Sequence, residues 1–453
     1  MRRRGVAQSP CVGIGTFLAA AVIASAIEPP SAQPAETLSL DAAVAAALEH
    51  NRLVQSAALD VGRADDRLAG AKAQRWPTLS VTVLGSHLFT PIEFVFKKGS
   101  IGDFPTTGPI PAQDTKIGTT KGFSGLGLGQ LEFGLSQQYK IGLNVGISKL
   151  GGEYYREAFR AQRQTTVDQV RKAFYGILDA ESALAAAEES LALAREVERV
   201  VGDRFRAEKA LEVDHIEAKA RLARSDANAF SAQDSLTQQK EQLNSLLGRD
   251  IRTDFRVVPV GERPAYPHDL AATRARALEQ QPAVRQARLQ ASQAELNLKL
   301  SKFIPDLGLS ATYLSPFAVD FLPKNIFTVG LVLKWEVFDG GRRLRDVAEK
   351  NKQLEQARLA VVERESSALL DVGQQYRRFE QTRKSLAAAE LERAGKRERL
   401  RIARDRYEQQ LIIAEDLLRA QADLSDAEKL YIQALSAFWS ARAELERAAG
   451  EEQ

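Results

Sequence analysis

Phe327-Thr328-Val329-Gly330-Leu331-Val332-Leu333-Lys334-Trp335-Glu336-Val337 alternates with a period of two: Phe327, Val329, Leu331, Leu333, Trp335 and Val337 stand on one side, and Thr328, Gly330, Lys334 and Glu336 on the other. Such a segment reads as a strand with one apolar and one polar face. Leu79, Val81 and Val83 against Ser80 and Thr82, and Leu307, Leu309, Ala311 and Tyr313 against Gly308, Ser310 and Thr312, supply two more. A fourth is expected over Leu131–Ser148, where the odd positions from Leu131 to Ile147 are mostly apolar. Alternation alone also fits a soluble antiparallel sheet resting on a core.

Context favours a membrane. Beyond the N-terminal segment no run approaches the roughly 18 to 20 apolar residues of a spanning helix, whereas strands of about 9 to 11 residues suffice for a membrane barrel. Hydrocarbon offers backbone groups no partner, so an open sheet would leave two forbidden edges. Several chains must then pool their strands. The smallest membrane barrels have about eight strands, so two copies give a filled barrel and three a lumen.

The chain repeats itself. Ala47, Leu48, Glu49 and Val54 return as Ala277, Leu278, Glu279 and Val284, and Arg204, Phe205, Asp214 and Ala218 return as Arg406, Tyr407, Asp416 and Ala420. Each copy runs short helix, strand, turn, strand, long helical hairpin. The connections between strands read as outer loops, His87–Gln130 with Pro91, Pro105, Pro109 and Pro111, and the shorter Leu314–Asn325. Gly125-Leu126-Gly127-Leu128-Gly129 lacks the spacing and following helix of a phosphate-binding turn and reads as loop leading into a strand.

Tyr154 to about Arg206 and Arg342 to about Tyr407 are rich in Ala, Glu, Arg and Leu and free of proline, which predicts helices too long for a globule. The return segments Val213–Leu247 and Ala414–Ala449 are shorter, and Arg52–Arg75 and Ala283–Lys302 stacked on them make up the difference. Leu417, Ala420, Leu424, Ala427, Tyr431, Ala434 and Phe438 follow three-four spacing, a seam whose small residues allow close approach.

Met1-Arg2-Arg3-Arg4, the apolar run Val12–Ile27 and Ala24-Ser25-Ala26 have the three parts of a secretory signal, with cleavage expected after about Ala26. Without Arg2, Arg3 and Arg4 the 62 Lys and Arg become 59, equal to the 59 Asp and Glu. A neutral mature chain weakens any reading as a nucleic-acid binder. Cys11, the one cysteine, goes with the signal, which leaves neither disulfide nor thiol nucleophile. The four histidines His50, His87, His215 and His268 are dispersed, Gly122-Phe123-Ser124-Gly125-Leu126 fails as a nucleophile elbow at its last position, and no Walker-type lysine motif occurs. No enzyme, cofactor or metal site is expected.

Leu38–Asn51, Trp76-Pro77 entering a strand, Ile304-Pro305 entering its partner, and Phe338-Asp339-Gly340-Gly341-Arg342-Arg343 resemble the TolC family of outer membrane efflux proteins. The resemblance implies a mixed, mainly α fold. Two β-hairpins per chain would join a shared trimeric transmembrane barrel, and long coiled helical hairpins a periplasmic α-barrel. Signal 1–26, N-terminal helices 27–77, first β-hairpin with its external loop 78–149, first helical hairpin 150–248, linker and short helices 249–304, second β-hairpin 305–341 and second helical hairpin 342–453 are the expected divisions. It further implies a homotrimer in outer membrane lipid, reached by a periplasmic adaptor and an inner-membrane transporter of RND or ABC type, and exporting small molecules or polypeptides. The competing class is a periplasmic coiled-coil scaffold that transports nothing.

The hairpin turns, near Arg206–Val213 and Tyr407–Ile413, lie farthest from the barrel. Asp214 and Glu217 follow the first and Asp416 and Arg419 the second, so a trimer would carry rings of charge at the pore entrance. The resemblance puts an acidic entrance ring at Asp416, with Arg419 where some members have a second acid. Asp214 and Asp416 also suit helix N-termini on dipole grounds alone. Phe205, Glu208, Tyr407 and Gln410 are the candidates for tip closure and adaptor contact. Glu208 and Gln410 stand where the family usually has glycine, and Ile412 where some members have a latch arginine.

Overall fold

The computed structural model describes residues 36–451 apart from 91–92, 119–121, 210, 260–268, 318–322, 410 and 413. The expected signal, over 1–26, lies outside the described residues. Among those described, no helix is long and apolar enough to cross a membrane.

The chain opens with β1 (Glu36–Leu38), α1 (Leu40–His50) and α2 (Arg52–Ala73). Strand β2 (Thr78–Leu88) is followed by four short strands, β3 (Glu93–Phe96), β4 (Gly102–Phe104), β5 (Gly108–Ile110) and β6 (Thr115–Gly118), and then by β7 (Gly122–Gly134). Two long helices come next, α3 (Gln137–Arg206) and α4 (Glu212–Leu246). The second repeat comprises β8 (Phe255–Val257), α5 (Leu270–Gln280), α6 (Pro282–Ser301), β9 (Asp306–Phe317), β10 (Ile326–Lys334), α7 (Arg342–Glu408) and α8 (Ala414–Ala448). The 70-residue α3 and 67-residue α7 are each on the order of 100 Å long.

One strand differs from its sequence reading. The apolar alternation of Leu131–Ser148 spans a strand end and a helix start: β7 stops at Gly134 and α3 begins at Gln137. The step from hairpin to helix therefore falls near 136, not 149. Period two is not unique to strands when a helix is enclosed on several sides, and α2 and α6 both pack on α3. The expected loops also shrink, since Gly122–Gln130 and Leu314–Phe317 are strand. Gly125–Gly129 sits inside β7 rather than before it. The long connection is itself folded, with β3 paired to β6 and β4 to β5 in a ribbon extending the β2–β7 hairpin.

The main sheet is antiparallel, in the order β10-β9-β7-β2. Below it, α4, α3, α8 and α7 lie side by side, and α2 and α6 flank the upper part of α3. Helix α2 stands on the end of α4, where the Asn51 amide donates to the Leu246 carbonyl at 2.9 Å. The same Asn51 caps α2 by accepting from the N–H groups of Leu53 and Val54. Helix α6, which opens with Pro282, stands likewise on α8: Arg160 of α3 donates to the carbonyls of Gln280 and Gly450.

Both junctions use a left-handed glycine after the lower helix, Gly248 at φ 71° and Gly450 at φ 79°. A β-carbon on Gly248 would overlap the His50 carbonyl oxygen, and one on Gly450 would meet the Gln280 carbonyl carbon at 2.7 Å. Only glycine accepts both that backbone conformation and so near a neighbour. The main core sits at the first junction, where Leu40, Ala43, Ala47, Val170, Phe174, Ile177, Leu243, Phe255 and Trp439 converge. The β1–β8 parallel pair closes one side of it.

Candidate functional site

Residues directly opposed in an antiparallel pair point to the same face. Leu79 pairs with Leu131, Leu131 with Ala311, and Ala311 with Val329. Phe133, Leu309 and Leu331 form the next row of this face, and Tyr313 and Phe327 another. The opposite face carries Thr78 and Glu132, then Ser80, Gln130, Thr312 and Thr328, and Lys334 beside Asp306, interrupted by Leu84, Leu126, Leu128, Leu314 and Val332. Leu79 is 72% exposed and Leu331 68%, so among the described residues no core covers the apolar face. Strands of 9 to 13 residues match the thickness of a membrane barrel.

The glycines of β7 belong to this face. Gly125 pairs with Phe317, Gly127 with Ser315 and Gly129 with Tyr313. The Phe317 ring lies over Gly125 and approaches Phe123 at 6.1 Å between centroids, so the missing side chain makes room for an aromatic. The alternation of glycine and leucine carries this signal, but only the register distinguishes it from a loop. Among the described residues, both outer strands, β2 and β10, have one unpaired edge.

The helical turns lie together at the end away from the sheet. Antiparallel contacts fix the alignment: Ser436 of α8 bonds Tyr175 of α3, Phe379 of α7 stacks near Phe438 of α8 at 5.4 Å, and Phe205 near the end of α3 stacks on His215 of α4 at 5.1 Å and 10°. Gly202 leaves the space for His215. The second hairpin has Arg404 and Leu417 in those places, so this stack belongs to the first hairpin only.

Glu208 adopts a left-handed backbone, φ 56°. Its N–H donates to the Phe205 carbonyl at 2.9 Å and the Lys209 N–H to the Arg204 carbonyl at 2.8 Å, a helix termination in which glycine is the usual residue. The Leu411 N–H makes the equivalent 2.8 Å bond to Arg406. Gln410 lies outside the described residues. Asp214 accepts from the Leu211 N–H at 3.3 Å, so its carboxylate caps the start of α4. Asp214, Glu217, Asp416 and Arg419 are all exposed on the first turns of α4 and α8, and Phe205 and Tyr407 are partly exposed beside them.

A polar seam that no sequence pattern announces joins the repeats. Glu444 of α8 is buried and accepts from Lys172 of α3 at 2.7 Å and Arg378 of α7 at 2.5 Å. Burial opposes the charge on Lys172, but Glu444 and Asp168 outweigh it and hold the ammonium above its ordinary pKa. Nearer the tip, burial pushes the carboxyls of Asp179 and Glu189 up. Glu189 also faces Glu428 and Asp426, while Ser425 and Gln421 donate to it. On the α4 side burial raises Glu181 as well, against the pull of Lys240 and Arg256.

Comparison with known proteins agrees with this architecture. Residues 273–451 match the family described as outer membrane efflux protein. Among solved structures, a membrane protein from Pseudomonas aeruginosa aligns with TM-score 0.70 and 20% identity, over 91% of this chain and 90% of that one. The CmeC outer membrane channel of Campylobacter jejuni gives 0.73 and 15%, over 91% and 85%. The MtrE outer membrane channel of Neisseria gonorrhoeae, in its open state, gives 0.67 and 18%, over 91% and 89%. No curated protein matched the chain.

Proposed function

We propose, for a chain whose residues 273–451 match the outer membrane efflux protein family and whose fold is that of outer membrane channels, that three copies form one export duct. The observation that carries this reading is the four-stranded open sheet, with its uncovered apolar face and its two unpaired edges. Lipid would satisfy the face, and only edge-to-edge closure would satisfy the backbone. Pairing β10 of one copy with β2 of the next gives about twelve strands, wide enough for a water-filled lumen lined by the polar face.

The helices support the same closure. Side by side, α4, α3, α8 and α7 leave α4 and α7 as outer members, and both expose apolar residues, Phe230 and Ile216 on the first and Leu370 and Leu391 on the second. Head-to-tail contacts between α7 and the next copy's α4 would close a helical barrel below the strand barrel. The duct hydrolyses nothing. Cargo, small molecules or polypeptides, would come from an inner-membrane transporter through a periplasmic adaptor meeting the tip around Phe205, Glu208, Tyr407 and Gln410. A periplasmic scaffold gives no reason for the bare apolar sheet face.

The test places cysteines on the two free edges, Ser80→Cys with Thr328→Cys, and treats outer membranes with a bifunctional maleimide. Covalent dimers and trimers are expected from the double variant and not from either single one. A protein released as a water-soluble monomer, with no crosslinked product, would overturn the reading.

A further inference from the structure

The leucines on the polar face of the sheet are not scattered. Nearest the helices that face holds Thr78, Glu132 and Ser310 in one row and Ser80, Gln130 and Thr312 in the next. Farther out it turns apolar: Leu128 is opposed to Leu314 and Leu314 to Ile326, and one row beyond, Leu126 is opposed to Leu84 and to Pro316. Opposed partners and alternate residues along a strand point the same way, so all of these side chains share one face. In a closed barrel the leucine rows form an apolar collar inside the outer half of the lumen.

One acid stands at a fixed distance below the collar. Glu132 lies on the same strand and the same face as Leu128, four residues nearer the helices, which places it about 13 Å away. It is exposed and has no ion-pair partner among the described residues. The other charged strand residues described on this face, Asp306 and Lys334, are opposed to each other four residues below the Glu132 row, where Lys140 also reaches Asp306 at 2.7 Å. That level is again about 13 Å from Glu132, beyond a Debye length of about 8 Å in physiological salt, so Lys334 does little to the field at Glu132. Apolar surface facing water favours contact with apolar solutes, and an unpaired acid beside it adds a preference for positive charge.

We propose that the barrel lumen holds a binding site for amphiphilic organic cations, with the ammonium meeting Glu132 and the apolar body lying outward along Leu128, Leu126 and Leu314. The inference rests on the duct reading, which assigns this face to the lumen. Charge and spacing together select the occupant. An anionic amphiphile loses the contact with Glu132, and a small cation without an apolar body cannot reach the collar from it. Three copies repeat the acid and the leucines around the axis, so the site is a girdle that a passing molecule meets from any side.

Full-length protein is inserted in planar bilayers, and tetramethylammonium, decyltrimethylammonium or decyl sulfate is added on the barrel side while single-channel conductance is recorded. In the wild type decyltrimethylammonium is expected to block at a roughly tenfold lower concentration than tetramethylammonium, because the decyl chain leaves water for the collar. L126N/L128N, and separately L84N, should shrink that difference with open conductance retained; if the double variant forms no channels, the single one decides. E132Q should weaken block by both cations several-fold and keep their order. E49Q removes the same charge from α1 and is expected to change nothing. Decyl sulfate blocking as well as decyltrimethylammonium, or a chain-length difference that survives in the leucine variants, overturns the proposal. A wild type that forms no channels sinks the duct reading instead, and the site with it.

Discussion

The side-chain amide of Asn51 reaches across 195 positions of sequence to the carbonyl of Leu246. One residue thereby ends α1, caps α2 and seats α2 on the last turn of α4, turning two helices of ordinary length into a single strut that matches α3. The second repeat reaches the same result with different chemistry, Arg160 holding the carbonyls of Gln280 and Gly450.

Removing that residue separates the joint from the helices themselves. Asn51→Ala loses the cap and leaves the Leu246 carbonyl without its donor, at a cost of about 2 kcal/mol in stability. Chemical denaturation followed by helical circular dichroism reads it. A midpoint equal to wild type would mean that α2 and α4 are held together by packing alone.

The left-handed positions predict opposite signs. Gly450→Ala forces a β-carbon into the Gln280 backbone at a positive φ and is expected to destabilise by more than about 1 kcal/mol. Glu208→Gly relieves a non-glycine residue at φ 56° and is expected to stabilise the first tip by about 1 kcal/mol. Amide exchange of Lys209, whose N–H bonds Arg204, reports the second effect; faster exchange in the glycine variant would contradict it.

Acid is expected to tighten the seam between α3 and α8. Burial raises the folded-state pKa of Glu189 and Asp179, so the native form takes up protons at a pH where the unfolded chain does not. Stability therefore falls as pH rises through the window from the ordinary carboxylate value up to the raised one, and it is recovered on acidification. Glu189→Gln should raise the melting temperature at pH 7 and flatten its pH dependence. If wild type and variant show parallel profiles between about pH 4 and 7, Glu189 does not titrate across this seam.

At the tip, Asp416 is exposed on the first turn of α8, where a ring of three would face the entrance. Asp416→Ala should weaken block by multivalent cations in planar-bilayer recordings by several-fold. Asp214→Asn is the contrasting case: its carboxylate caps α4, so a loss of helix stability is expected along with any change in block. Identical block in wild type and Asp416→Ala would remove Asp416 from the entrance.

The mainly α class, the duplicated order and the lipid-suited strand faces were legible in Phe327–Val337 and its companions because side-chain period follows directly from backbone geometry. The candidate tip residues were legible only as positions in a repeat. Glu208 was legible as a turn position where the resemblance expects glycine, but its left-handed backbone shows only in the fold, where its N–H bonds Phe205 and the next N–H bonds Arg204. The stack of His215 on Phe205 was equally hidden, since it depends on the space that Gly202 leaves in a different helix. The misreading of Leu135–Ser148 as strand has the same origin: a helix packed on more than one side can carry apolar residues at alternate positions.

By itself the sequence determined which segments alternate, which are helical, and that the plan is run twice, because these properties depend on neighbours along the chain. The tertiary structure decided what meets what. It set the register that lays Phe317 over Gly125, the seating of Asn51 on Leu246, and the burial of Glu444 between Lys172 and Arg378. Each of these joins residues far apart in sequence, and the energy of a contact exists only once the fold has brought both partners to the same place.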